Sequence, residues 1–280
     1  MPKLSGTDLA NKIYADLKTE IAELKEQGKV PTLATVLVGN NPASEIYIRN
    51  KIKKCEELGI ESVHVQLNPD MTTTLNLISN IEALHDDGVD GILIQTPLPA
   101  HIDQDEILEA IPPWLDVDGF HSHNVGRLSQ GKPELEPCTP KGCMSLLEES
   151  GIDLKGKVAV VIGKSNIVGK PMALMLINAG ATVISCDSYT PDLPGKCREA
   201  DVIVVATGVP SLVKDEWISP DTVVIDVGIN RIEGTNSICG DVDPIVHERE
   251  DVTITPVPGG VGPMTICTLM SNTVKSCKQR

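Results

Sequence analysis

Residues 157–171, KVAVVIGKSNIVGKP, constrain the fold more than any other stretch of the chain. A β-branched apolar run stops at Gly163, a polar Gly/Ser loop follows, and a helical pattern starts at once. A strand that ends in glycine lets backbone approach a ligand closely, and the N–H groups opening the next helix attract an anion. The spacing is G-x-S-x-x-V-G. Ser165 stands where the usual dinucleotide fingerprint has its second glycine, and the last glycine comes one place late, at Gly169. Alone, the motif fits an ordinary strand-to-helix turn as well as a phosphate site.

The pattern around it extends through most of the 280 residues. In the first half, apolar runs at 32–39, 61–67 and 91–95 alternate with helical patterns at 43–58 and 74–87, behind an amphipathic opening helix. A Pro-rich segment, 96–113, and the turn WLDVDGF close that half. A second set follows: strands at 157–163, 182–186, 201–208, 222–228 and 252–257, and helices near 140–150, 168–179 and 193–199. Alternating strand and helix implies right-handed crossovers and a mainly parallel sheet. Only 2% of residues are aromatic against 41% hydrophobic, so the core is packed by aliphatic side chains, as in sheets buried on both faces. The expected fold class is α/β with two α/β domains, the second a doubly wound Rossmann-type nucleotide-binding domain. The boundaries expected are 1–139 plus 262–280 for one domain and 140–261 for the other, with the C-terminal helix returning to the first.

A formal net charge of −15 argues against nucleic acid as a partner. The N-terminal 24 residues carry both signs of charge and no apolar h-region, and no apolar run reaches the ~20 residues that span a bilayer. No membrane partner is expected, and the chain reads as cytoplasmic. Eight cysteines show no C-x-x-C pair, so reduced, buried structural thiols are expected.

On a helical wheel, Tyr47, Ile48, Ile52, Cys55 and Leu58 share one arc of the 44–58 helix, and Lys51 falls in the middle of it, with Ser44 and Tyr47 about a turn or two before. A lysine there snorkels, pairs with a carboxylate or lines a pocket. Burial would bring its pKa down toward the range of a proton-transfer group, and Tyr47 is placed to hydrogen-bond it. Gln95 ends the strand GILIQ, where ligands bind in open α/β sheets. Asp118 lies in DVDGF, which lacks the downstream acids of a calcium loop. His121 and His123 do not have zinc-ligand spacing. Segment 255–265, TPVPGGVGPMT, holds three glycines and three prolines and suits a stiff loop that a ligand can approach closely.

Together, NPASEIYIRNKIKKCEELGI (41–60), GILIQTPLPAHID (91–103), DVDGFH (116–121), PCTPKG (137–142), GKSNIVGKPMALML (163–176), VIDVGIN (224–230), GDVD (240–243) and TPVPGGVGPMT (255–265) resemble the methylenetetrahydrofolate dehydrogenase/cyclohydrolase family over nearly the whole chain. The resemblance implies a homodimer with an active site in an interdomain cleft, no metal, a reduced folate as substrate and NADP as cofactor. It implies oxidation of 5,10-methylenetetrahydrofolate to the methenyl cation, then hydrolysis to 10-formyltetrahydrofolate. It assigns Lys51 as acid/base with Tyr47 in support, and Gln95 and Asp118 to the folate. Ser44, Leu98, Pro258, Gly259 and Gly260 join Tyr47 and Asp118 in binding substrate, and Gly163, Lys164, Ser165, Ser188 and Ile229 bind cofactor.

Four positions, in three segments, depart from the family's pattern. Lys164 stands where an arginine is common in the loop, keeping the charge and losing the forked geometry. After strand 182–186, C-H-S-R-T becomes Cys186-Asp187-Ser188-Tyr189-Thr190. That removes an arginine and adds a carboxylate at the distance where dinucleotide folds bind a free ribose 2′-hydroxyl. NAD therefore stays open beside NADP. Leu115, after Trp114, replaces a common lysine and is expected on the cleft rim. Retention of Lys51, Tyr47, Gln95 and Asp118 argues against one alternative, an NAD-dependent dehydrogenase without the hydrolytic step; a second, a folate- or nucleotide-binding protein that no longer turns over, is separated from an enzyme by product formation.

Overall fold

The computed structural model describes residues 4–232, 234, 235 and 237–280, the side chains at 42 and 43 excepted. By contacts the chain divides into two compact units: Ile13–Glu136 with Leu269–Arg280, and the stretch through Lys12 with Pro137–Thr268. The division falls inside the first helix, α1 (Gly6–Glu26), and inside the last, Val261–Gln279.

The first unit continues from α1 through β1 (Thr32–Val38), α2 (Pro42–Leu58), β2 (Glu61–Leu67), α3 (Thr74–Asp86), β3 (Gly91–Ile94), α4 (Gln104–Ala110) and α5 (Ser122–Ser129). Its parallel sheet has the order β2–β1–β3, with Thr32 opposite Glu61 and Leu33 opposite Gly91. Because β1 lies between two neighbours, all but its first residue is buried, which is why TLATVLV reads as an apolar run. β2, at the edge, has only exposed and half-buried positions. Helix α3 opens on a reciprocal cap between Thr73 and Asn76 and buries Leu77, Ile81 and Leu84 in the core built on Ala34, Val36 and Ile92. α4 falls within the Pro-rich segment that the sequence pattern treats as a closing stretch. Asp103 caps it by accepting from the Asp105 and Glu106 N–H groups. Leu115 belongs to this core at 1% exposure, so its expected place on a rim is corrected, while its neighbour Trp114 is the exposed one.

The second unit runs α6 (Cys138–Glu149), β4 (Val158–Ile162), α7 (Gly169–Asn178), β5 (Thr182–Cys186), α8 (Leu193–Arg198), β6 (Val202–Val205), β7 (Val223–Asp226), the antiparallel pair β8 (Asn230–Arg231) and β9 (Ile238–Cys239), β10 (Thr253–Ile254) and α9 (Val261–Gln279). The five parallel strands lie in the order β10–β7–β6–β4–β5. Counted within the unit this is 2-1-3-4-5 read from β5, a doubly wound sheet whose order reverses between β4 and β6. Ligands bind such sheets beyond the carboxyl ends at that reversal. Val160, Ile162, Ile203, Val205 and Val224 form the aliphatic core beneath it.

All eight cysteines are free, seven of them buried and Cys239 half-buried. Among the described residues no helix is long and apolar enough to cross a membrane.

Candidate active site

In the first unit the chemistry collects at the carboxyl end of the sheet. Gln95 extends β3 by one residue, its N–H donating to the Val36 carbonyl at 2.9 Å. Its side chain is fixed at both ends: Nε2 donates to the Thr96 carbonyl (2.9 Å), and Oε1 accepts from Lys51 Nζ on α2 (3.2 Å). Two residues 44 positions apart are thus joined by one hydrogen bond. Lys51 is half-buried, between the buried Ile48 and Cys55, and Ser44 is buried. Tyr47 is 43% exposed. At 100° per residue it lies about 70° from the middle of the arc that Ile48, Cys55 and Leu58 bury, which is the wheel's edge and not its centre. Leu98 is half-buried against the same core.

Asp118 is half-buried on a turn held by Asp116. The Asp116 carboxylate accepts from the Gly119 N–H (3.0 Å), the His121 N–H (2.9 Å) and Asn124 Nδ2 (2.9 Å). From the other side, Asn272 Nδ2 donates to the Val117 carbonyl. Burial pushes the Asp116 carboxyl upward against the downward pull of its donors. His121 caps α5, its Nδ1 accepting from the His123 N–H. Among the described residues no group of three or more His, Cys, Asp or Glu is placed to hold a metal ion.

In the second unit Gly163 ends β4 at φ +117°, and a Cβ there would strike the Ala206 carbonyl at the end of β6, so only glycine lets the two strand ends close up. Lys164 and Ser165 are exposed. Ser165 Oγ accepts from the Val168 and Gly169 N–H groups (3.2 and 3.4 Å), so two donors at the start of α7 already have a partner in the loop itself. Ser188 is exposed beyond β5, and beside it Asp187 faces Lys164, Oδ2 to Nζ 3.0 Å. Pro258 is exposed and Gly259, at φ +102°, accepts from the Thr7 N–H (3.0 Å). Gly260 is buried immediately before α9.

Ile229, 47% exposed, owes its position to two carboxylates to which the sequence reading gives no role. Asp226 Oδ1 accepts from the Gly228 and Asp241 N–H groups (both 2.9 Å), and Oδ2 accepts from that of Val242 (3.0 Å). Asp241 Oδ2 takes the Thr207 N–H (2.7 Å), the Thr207 hydroxyl (2.9 Å) and the Gly208 N–H (2.9 Å), and Oδ1 takes Asn230 Nδ2 (2.8 Å). The ends of β6 and β7 and the turn after β9 are tied together with Ile229 between the tied residues. A Cβ on Gly228 would enter the Asp241 carboxylate and one on Gly240 the Asp226 carboxylate. The signal was in the sequence as two acids, each matched by a glycine in the other motif: VIDVG and CGDVD.

A doubly wound sheet with a glycine-turned strand end in one unit, and a lysine–glutamine pair at the strand ends of the other, are features of the nucleotide-dependent α/β class. The family model for the tetrahydrofolate dehydrogenase/cyclohydrolase catalytic domain matches residues 4–118, and that for the NAD(P)-binding domain matches residues 137–280. The chain belongs to this family. It is 52% identical over 277 residues to bifunctional protein FolD 2 of Geobacter metallireducens, covering 99% of this chain and 96% of that one. The crystal structure of the bifunctional FolD enzyme of Campylobacter jejuni superposes with a TM-score of 0.96 at 51% identity, covering 100% and 99% of the two chains. The Trypanosoma brucei enzyme, complexed with NADP cofactor and inhibitor, gives 0.94 at 35% identity, covering 100% and 99%.

Proposed function

We propose that Lys51, held by Gln95, is the acid/base of the hydrolytic half of a two-step folate enzyme. The enzyme oxidises 5,10-methylenetetrahydrofolate to 5,10-methenyltetrahydrofolate with NADP, and hydrolyses the methenyl cation to 10-formyltetrahydrofolate. The observation that carries the residue assignment is the 3.2 Å Lys51–Gln95 hydrogen bond, which fixes a proton-bearing group at the carboxyl edge of the sheet.

The second unit fits the cofactor. Gly163 provides a strand end with no side chain, Lys164, Ser165 and Ser188 are exposed around it, and Ile229 projects from a braced loop. NADP held there would supply the hydride acceptor for the methylene carbon. The chain's own residues position the substrate and manage protons. Asp118 accepts the paired N–H donors of the pterin, which anchors the folate. Ser44, Tyr47 and Leu98 line its approach, and Pro258, Gly259 and Gly260 offer close backbone. In the second step Lys51 takes a proton from the water that adds to the methenyl carbon and returns one to the nitrogen that leaves as the ring opens, with Tyr47 and Gln95 orienting it. Residues 1–139 with 262–280 then carry most of the folate contacts, and 140–261 the nucleotide contacts.

With 5,10-methylenetetrahydrofolate and NADP, the expected result is nicotinamide reduction with little accumulated methenyl compound. Lys51→Met should let the methenyl compound persist at its spontaneous rate of hydrolysis. Near-normal hydrolysis in that variant would remove Lys51 from the mechanism.

We also propose that the protein is a cytoplasmic homodimer. Support for the compartment comes from eight free thiols, and for the dimer from β2, an edge strand with Val63 exposed and strand pairing on one side. Light scattering should give about twice the 30.0 kDa of one chain, and a monomer mass would reject the dimer.

A further inference from the structure

The parallel pairing of β4 with β5 brings the residues after the two strands together: Ile162 is opposite Cys186, and the Gly163 N–H donates to the Cys186 carbonyl at 2.9 Å. Lys164 and Asp187 are therefore neighbours at the carboxyl edge. In dinucleotide folds an acid about 20 residues beyond the glycine loop holds the ribose of the adenosine half, and a basic group there takes a 2′-phosphate. This chain has both, and they face each other at 3.0 Å.

The acid is locked in place. Asp187 Oδ1 accepts from the Tyr189 N–H (3.0 Å) and the Thr190 hydroxyl (3.2 Å), and the Asp187 N–H donates back to Thr190 Oγ1 (2.9 Å). Oδ2 is left for Lys164. The Lys164 ammonium beside it holds the carboxyl below the usual range, so it stays ionised at neutral pH.

A 2′-phosphate carries a charge of about −1.5 to −2. At an unpaired lysine it would meet a full positive charge, whereas here that charge is already balanced. To serve the phosphate, Lys164 must leave Asp187 with no counter-ion beside a second anion. A free 2′-hydroxyl makes no such demand, because it donates to Asp187 while the ion pair stays intact.

We infer that Asp187 is a specificity-determining residue: by engaging Lys164 it weakens the hold on the 2′-phosphate and admits NAD alongside NADP. The inference deepens the cofactor reading above and rests on it.

Calorimetric titration of the whole protein with NADP and with NAD tests it, alongside kcat/KM for each. Asp187→Asn keeps an acceptor for Tyr189 and Thr190 and removes the charge. The wild-type Kd values should lie within about tenfold of each other, and the variant should favour NADP by at least a further tenfold or so. That gain should appear in Kd and KM with kcat little changed. Lys164→Gln in the Asp187→Asn background should cancel it. A ratio unmoved by Asp187→Asn, a wild type that binds NADP alone, or loss of both nucleotides overturns the inference. Normal nucleotide binding and ratio shift without folate turnover would instead overturn the enzymatic reading and leave the role of Asp187 standing.

Discussion

Each unit braces one functional loop with buried carboxylates, but not in the same way. Asp116 acts alone on a single turn, with its backbone and side-chain donors all within residues 119–124. Asp226 and Asp241 act as a pair whose donors come from residues 207–208, 228, 230 and 241–242, three separate segments. A local brace fixes where one side chain, Asp118, sits within its turn. A distributed brace fixes the spacing of strand ends, which a cofactor lying across several of them requires. On the proposed function, a compact pterin at one edge and an extended dinucleotide across several strand ends would draw on one brace each.

A crossed experiment separates the two braces. Asp241→Asn turns an NH2 group toward the Thr207 and Gly208 N–H donors or toward Asn230, leaving buried donors unpaired at a cost of ~2–4 kcal/mol of stability. The same change should raise the Kd for NADP and leave that for a folate analogue near the wild-type value. Asp116→Asn should cost less, ~1–3 kcal/mol, and do the reverse, weakening folate with little change for NADP. Denaturant unfolding and two binding titrations on each variant decide the matter. If both variants weakened both ligands equally, the two braces would be general stability elements and not loop-specific ones.

What sequence alone disclosed follows from length and repetition. The central strands β1, β4, β6 and β7, and the fully buried β3, were visible because burial leaves a mainly aliphatic run, and Gly163 was visible because the β4 run ends on it. Helices α4 and α5 were not. The first spans seven residues and buries only Ile107, too little for a period of 3.6 to register. Within the site, Lys51 stood out as a charge on an apolar arc and Gln95 as a polar strand end, yet that they meet is set by the β1–β3 register, which lies outside any local pattern. Asp226 and Asp241 sat inside quoted motifs without a role because their partners are backbone groups, which every residue supplies and no sequence marks. The direction of the Asp187 carboxylate, too, depended on the β4–β5 pairing.

Asp226 differs from a carboxylate that is merely paired in being held against its charge. Burial, with Asp241 nearby, pushes Asp226 up to about 6 despite the three N–H groups that pull it down. Its unfolded value is near 3.8. The folded state thus holds this proton more tightly, and the stability so gained is fully present below pH 3.8 and lost as the pH rises through 6. Asparagine at 226 does not titrate, so the rest of the protein's pH dependence cancels when the two are compared. Between pH 5 and pH 8, wild type should lose about 1 to 1.5 kcal/mol relative to Asp226→Asn, read from urea unfolding at each pH. A difference that stays constant would mean that the backbone donors cancel burial, and one that moves in favour of wild type at high pH that they outweigh it; in either case Asp226 enters the fold ionised.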